Sequence, residues 1–287
     1  MNSSMEVKRQ FNRSSSGSYD RHADVQRIMA DQLAAKLGET KGEGGRTSVC
    51  DILEIGCGTG NLTSRLVDIW PEAAITALDI APGMLRAAEQ RLDQQAGYEI
   101  RFIQGDVEEW SAAAQTASFD LIVSSACFQW LKHPVQTLQQ LRRLLRPGGS
   151  LVFTTFGPET FGELHESFRE VYQSRGQQPQ RHGLSFQSKV QWRRMLADSG
   201  FAHIEEQSSF HVETYPTPRD FLLAVKAMGA STSEAEAVPG LSKRRLFAGM
   251  YEVYEAKFSV PGGIFATYEL LLMQGVAPNQ DRGSDGF

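Results

Sequence analysis

The chain has 287 residues, of which 41% are hydrophobic and 22% charged, the balance of a soluble globular protein with length for one large core or two small ones. Its net charge of −5 excludes nucleic-acid binding by bulk electrostatics, and no run approaches the roughly 20 apolar residues that span a bilayer. Cys50, Cys57 and Cys127 form neither a C-x-x-C pair nor a zinc pattern, and the first thirty residues carry no apolar leader, so the expected compartment is the reducing cytoplasm.

Residues 1–20 are polar and Ser/Gly-rich, and the first few are expected to be disordered. Val25, Ile28, Met29, Leu33 and Leu37 recur at helical spacing and predict a helix over about 21–37, followed by a charged, Gly-rich loop over 38–48. Strands are then expected at 49–55, 74–78, 100–103, 119–124 and 151–155, with helices at 60–69, 82–95 and 134–145. Pro147-Gly148-Gly149 reads as a turn. Nearly continuous apolar strands alternating with helices mark a parallel sheet covered on both faces, joined by right-handed crossovers.

After Phe156 the rhythm changes. Helices are expected over 158–174 and 189–199 around a polar loop at 176–188, then a strand over 202–214. Helices over 217–229 and 242–256, an Ala/Ser/Glu-rich linker between them and a strand over 265–274 complete the pattern, and the tail after 277 is expected to fray. The chain reads as one domain. An arm and helix (1–48) precede a ligand-binding core (49–156), a lid (157–200), the remaining strands and helices (201–276) and a polar tail (277–287).

The chemistry concentrates at strand ends. Glu54-Ile55-Gly56-Cys57-Gly58-Thr59-Gly60 follows an apolar strand and opens a helix, where glycines let backbone approach a ligand. Position 61 is Asn, where the dinucleotide fingerprint wants its third small residue, so the loop favours a ligand without a pyrophosphate. Asp79 ends the next strand and can accept from both hydroxyls of a ribose, or serve as a helix N-terminal acid ahead of Pro82. Gly105-Asp106-Val107 ends the third strand, where a carboxylate can accept from an adenine amino group. Ile80 and Met84 are placed to sandwich that base, with ordinary core packing the alternative for Met84. After the fourth strand, Ser124 stands at the same edge, and Phe128 and Trp130 either wall the site or pack beneath it.

Glu54–Gly60, Asp79, Asp106 and 119–124 together resemble the class I S-adenosylmethionine methyltransferases, over about 49–156. The resemblance implies a Rossmann-like α/β fold. Its sheet has seven mostly parallel strands with the last antiparallel, helices on both faces and a helical lid after the fifth strand. A narrower resemblance lies in the flanks. Phe11-Asn12-Arg13, Ser18-Tyr19-Asp20-Arg21-His22-Ala23, Val25-Gln26, Ser124 to Trp130, the stretch from Phe153 to Leu164, and His182-Gly183-Leu184-Ser185-Phe186 are similar to the malonyl-acyl-carrier-protein O-methyltransferases of biotin synthesis, from about 7 to 276.

The resemblance implies that Glu54, Gly56, Cys57, Gly58, Gly60, Asp79, Ile80, Met84, Asp106, Val107 and Ser124 bind S-adenosylmethionine. It implies a malonyl thioester on acyl carrier protein as acceptor, with no nucleic-acid or membrane partner and no metal. Tyr19 is then expected to shape the site over the methyl group, and His22, Gln26, Phe128 and Trp130 to line the substrate pocket. For Tyr19 the alternative is a surface aromatic, and for His22 and Gln26 an ordinary helix face. Arg181, His182 or Lys189 would meet the malonyl carboxylate. Lys243-Arg244-Arg245, Arg193-Arg194 and Arg142-Arg143 are candidate docks for an acidic carrier, each equally readable as a solvated face. A carboxylate acceptor is ionised near neutral pH and needs no general base, which fits the lack of a nucleophile–base pair in the sequence. The competing expectations are a methyltransferase for another small molecule, such as a tricarboxylate, or a non-catalytic S-adenosylmethionine-binding protein.

Overall fold

The computed structural model describes residues 8, 11–12, 23–42, 49–92, 97–227 and 242–279. Helix α1 (Asp24–Gly42) leads into β1 (Asp51–Ile55), α2 (Asn61–Ile69), β2 (Ala74–Asp79), α3 (Pro82–Leu92), β3 (Ile100–Gln104), α4 (Val107–Ala113) and β4 (Phe119–Ser125). A short helical turn, Phe128–Trp130, precedes α5 (Pro134–Leu144), β5 (Leu145–Phe156), α6 (Gly162–Gln173), α7 (Lys189–Asp198) and β6 (Ala202–Tyr215). The chain continues through α8 (Pro218–Ala227), α9 (Lys243–Phe258), β7 (Ser259–Val260) and β8 (Gly263–Val276).

The sheet order is β3-β2-β1-β4-β5-β8-β6, with the two-residue β7 paired to β8. Strands β1 to β5 pair in parallel, and β8 runs antiparallel between β5 and β6. This is the expected seven-strand arrangement with one short addition. Alternation along each strand divides the core. Ile52, Leu121, Val123, Val152 and Leu272 pack under α1 and α2 with Leu33, Leu37, Leu62 and Leu66. Their sequence neighbours Leu53, Ile122, Leu151, Phe153 and Leu271 face Leu138 and Leu141 of α5 and Trp192 and Leu196 of α7. A period of two places successive side chains on opposite faces, so a strand with both faces buried has to be apolar throughout. A third apolar cluster lies beyond the carboxyl end of β5, where α6, α8 and α9 close over the first half of β8.

Three expectations need correction. Helix α1 continues to Gly42 where a loop was expected, because Glu39 and Lys41 are good helix formers even after the apolar face has ended. Helix α4 escaped the reading because seven residues are too few for a period; Asp106 caps it, its Oδ1 accepting from Glu108 N at 3.0 Å. Pro147-Gly148-Gly149 does not break the chain before β5 but lies within it. Gly148 takes φ 77°, and the pairing of β4 with β5 shifts between Phe119 and Leu121, the behaviour of a bulge at a sheet rim. The Ala/Ser/Glu-rich linker, and the polar tail from residue 280, lie outside the described residues.

Candidate functional site

The loop after β1 folds back on β2, with Gly56 N and Cys57 N both donating to Leu78 O at 2.8 and 3.1 Å. Gly56 takes φ 69°, and a Cβ there would sit 2.6 Å from Cys127 Sγ, so only glycine lets the loops after β1 and β4 meet. Gly58, at φ 55°, is different: a Cβ there would meet no atom of the described residues within 4 Å, and the residue lines an open cleft. Space is left free at the wall itself.

Asp79 stands beside this loop, 8% exposed. Its Oδ2 accepts from Gly58 N at 2.9 Å and its Oδ1 from Ala81 N at 2.8 Å. Each oxygen keeps room for a second donor. Burial pushes its carboxyl up to about 6, against those two backbone hydrogen bonds. A ligand that brings hydroxyls to the carboxylate offsets that desolvation.

The cleft these residues line has a volume of about 830 Å³, its open mouth included. Gly56, Gly58, Asp79, Ile80, Met84, Asp106, Val107 and Trp130 all border it. Asp106 does double duty, capping α4 while facing the cleft. The arm also reaches this side: Asn12 Oδ1 accepts from Gly83 N at 3.0 Å, and Phe11 meets Trp130 edge-to-face at 5.7 Å between ring centres.

Phe11, Ala126 and Trp130 border a second pocket as well, of about 400 Å³, so they form the junction between the two spaces. Ala126 is held at φ 51°, a strained backbone for a residue with a Cβ, at that junction. Gln26, Gln129, Phe156, Phe161, Leu184, Phe186 and Tyr268 complete the second pocket. Its polar groups among the described residues are neutral. Gln129 Nε2 donates to Ala126 O at 2.7 Å while its Oε1 accepts from Thr155 Oγ1 at 3.1 Å. Among the described residues Gln26 Oε1 is buried without a hydrogen-bond partner, and no Lys or Arg borders this pocket.

Several predicted residues stand elsewhere. Phe128 is a core side chain, 1% exposed and stacked on Phe153 at 4.4 Å, because the helical turn that begins with it rolls the ring inward and leaves Trp130 at the wall. Ser124 is fully buried and donates to Ile55 O at 2.9 Å, tying β4 to β1; Ser125, Ala126 and Cys127 border the cleft in its place. Cys57 points into a small cluster with Ala77 and Leu85, and Gly60 lies against Ala88 of α3. Glu54 is buried behind the loop; burial pushes its carboxyl up to about 7, and Oε2 has no hydrogen-bond partner among the described residues.

His182 is a structural residue rather than a pocket cation. It stacks on Phe168 at 3.8 Å, its Nε2 lies 2.9 Å from Tyr172 Oη, and burial holds it down at about 4, so it is neutral. Arg181 is exposed and donates to Leu184 O at 3.3 Å, and Lys189 is exposed at the start of α7; neither borders the pocket. Tyr19 and His22 lie outside the described residues.

Sequence reasoning did not place Phe156 or Phe186 at the second pocket: both stood in quoted motifs, and a motif gives no direction to a side chain. Tyr268 carried no local signal, since it is one aromatic in an apolar strand.

A methyltransferase-domain family model matches residues 52–149. The chain is 57% identical over 267 residues to a malonyl-[acyl-carrier protein] O-methyltransferase of Paenibacillus sp. (strain JDR-2), covering 93% of this chain and 96% of the relative. It is 45% identical to the protein of that name from Brevibacillus brevis, covering 91% and 92%. The fold is similar to that of the YcgJ protein of Bacillus subtilis, at a TM-score of 0.58 and 15% identity over 87% of this chain and 100% of that one. It is also similar to phosphoethanolamine N-methyltransferase 2 of Haemonchus contortus, solved in complex with S-adenosyl-L-methionine, at a TM-score of 0.53 and 21% identity over 87% of this chain and 53% of that one. Identity of this order across nearly the full length, carrying the flanks as well as the core, places the chain in the malonyl-[acyl-carrier protein] O-methyltransferase family.

Proposed function

We propose that this protein transfers the methyl group of S-adenosylmethionine to the free carboxylate of a malonyl thioester on acyl carrier protein, giving the methyl ester that starts pimeloyl synthesis for biotin. The observation that carries the reading is the pair of adjoining spaces: a cofactor cleft at the ends of β1, β2 and β3, and a second pocket that no Lys or Arg borders among the described residues, sharing Phe11, Ala126 and Trp130. Asp79 takes the ribose hydroxyls, Ile80 and Met84 flank the adenine, Asp106 faces its amino edge, and Gly56 and Gly58 admit the amino-acid end. The cofactor supplies an electrophilic methyl on a sulfonium.

What the chain must do is align and dry the acceptor. Attack by a carboxylate on a sulfonium consumes one negative and one positive charge and forms a neutral ester and thioether. An apolar surround therefore costs the charged reactants more than it costs the charge-dispersed transition state. Phe156, Phe161, Leu184 and Phe186 supply that surround, and the Gln26 and Gln129 amides orient the acceptor without holding it as an ion pair. No base is required. Tyr19 shapes the wall over the methyl group, with His22 beside it; Tyr19→Phe then lowers turnover and leaves cofactor affinity intact. The carrier acts as a cytoplasmic partner; among the described residues no helix is long and apolar enough to cross a membrane.

The test is methyl transfer from labelled S-adenosylmethionine to malonyl-acyl carrier protein, with the acetyl form as control. A base-labile methyl ester on the malonyl form alone is expected. Transfer to the acetyl form as well, or to neither while cofactor is bound, overturns the reading.

A further inference from the structure

Three basic clusters stood as possible docks, and the structure separates them by what their charges already do. Arg142 Nε donates to Gly200 O at 2.8 Å, and Arg143 donates to Ser111 O at 2.7 Å and Ala112 O at 3.3 Å, so this pair serves neighbouring chain ends. Arg193 pairs with Glu206 at 2.7 Å and Arg194 with Asp198 at 3.7 Å. Lys243, Arg244 and Arg245 are all exposed, and among the described residues their side chains have no ion pair or hydrogen bond. They fill the first turn of α9, which carries no acidic residue there, although helix dipoles favour the opposite charge at that end. The arrangement works against helix stability; Ser242 caps the turn by accepting from Arg245 N, but among the described residues no acidic side chain pairs with the three charges.

The position of this turn matters as much as its charge. Phe247, next along α9, packs on Phe168 at 5.3 Å and on His182 at 6.3 Å. His182 belongs to the loop after α6, and the same loop supplies Leu184 and Phe186 to the wall of the second pocket. Arg181, exposed on that loop, adds a further positive charge. The acidic residues of α6 are engaged away from this end, Glu166 and Glu170 both pairing with Lys257 of the last turn of α9.

We infer that Lys243, Arg244 and Arg245 form the surface on which the acidic carrier protein docks, with its thioester arm passing beneath the loop that carries Leu184 and Phe186. The inference rests on the proposed carboxyl methylation, and the charge complementarity names the partner. Docking on exposed charges acts on association and not on the chemistry inside the pocket.

The experiment compares wild type with the combined Lys243→Glu, Arg244→Glu and Arg245→Glu variant on malonyl-acyl carrier protein and on malonyl-pantetheine, which has no carrier. KM for the carrier substrate is expected to rise about tenfold or more, with loss of its dependence on salt, while turnover of malonyl-pantetheine is unchanged. Reversing Arg193 and Arg194 instead is expected to leave both substrates unaffected. Equal kinetics for both proteins on the carrier substrate, or an equal loss on both substrates, overturns the docking surface. If wild type methylates neither substrate, the proposed function falls. Calorimetric binding of holo-acyl carrier protein then tests the surface alone, weakening in the triple variant if the dock is right and unchanged or absent in both proteins if it is wrong.

Discussion

The two adjoining pockets are walled by different kinds of structure. The cleft at the ends of β1, β2 and β3 stands largely on backbone: glycines, two N–H groups on Asp79 and a helix cap at Asp106. The second pocket is made almost entirely of side chains brought from distant stretches, from the arm to β8, and held by the cluster beneath α6, α8 and α9. The first kind of wall is fixed once the strands pair. The second exists only when remote elements have packed, so its shape is sensitive to every aromatic ring behind it.

The largest expected effect separates the two walls. Phe168 is 1% exposed between His182 and Phe247, and Phe168→Ala should cost about 3–5 kcal/mol of stability by denaturant unfolding. The protein that remains folded should bind cofactor as wild type does while its KM for malonyl-acyl carrier protein rises. Cofactor affinity that falls in step would show the halves to be one cooperative unit at this level.

Asp79→Ala acts on the other side. Two hydrogen bonds from hydroxyls to a carboxylate, each worth about 1.5–3 kcal/mol, predict a loss of cofactor affinity of about 100-fold or more by calorimetry. Unchanged affinity would remove Asp79 from the ribose.

Glu54 tests the cost of burying charge under the loop. Its carboxyl is ordinarily near 4.5 and is raised to about 7, so the folded chain holds that proton more tightly than the unfolded chain does. Stability from this group is therefore full below about pH 4.5 and is lost as pH rises toward 7. Glu54→Gln cannot ionise and escapes the loss. It should match wild type at pH 4 and exceed it at pH 8 by on the order of 3 kcal/mol in thermal or urea unfolding. Equal pH profiles for the two proteins would place Glu54's burial outside the stability balance.

The smallest effect sharpens the account of the cleft wall. Gly58→Ala carries the left-handed strain of about 1 kcal/mol, since among the described residues no atom lies within 4 Å of the new Cβ. If the cofactor lies against this residue, affinity should fall by about tenfold or more, a larger loss than the change in stability. Affinity lowered no more than stability would move the ligand away from Gly58.

Much of the cleft at the ends of β1, β2 and β3 was legible because its signals are local. Gly56, Gly58, Asp79, Asp106 and Val107 follow strands whose apolar runs announce where they end, and the residue after a strand end is bound to stand at the sheet's rim. Ser124 and Phe128 show where that logic stops. Both follow or finish a strand, but one side chain turns under the loop to Ile55 O and the other rolls into the core, and one residue of phase decides which. Arg181 and His182 show the same limit for charge, since whether a cation faces substrate, solvent or an aromatic stack depends on the fold of a loop without period.

By itself, the sequence determined the strand–helix alternation, the glycine loop with its carboxylates, and, through its motifs, the family. Those follow from apolar periodicity and from short spacings that the chain carries wherever it goes. The tertiary structure alone decided that Phe11 and Trp130 join two pockets, that Tyr268 walls the second, and that of the three basic clusters Lys243, Arg244 and Arg245 are the ones without a side-chain partner among the described residues. The reason is physical: a contact between residues distant in sequence is set by the packing of whole elements, and no local pattern of residues encodes which partner a side chain will meet.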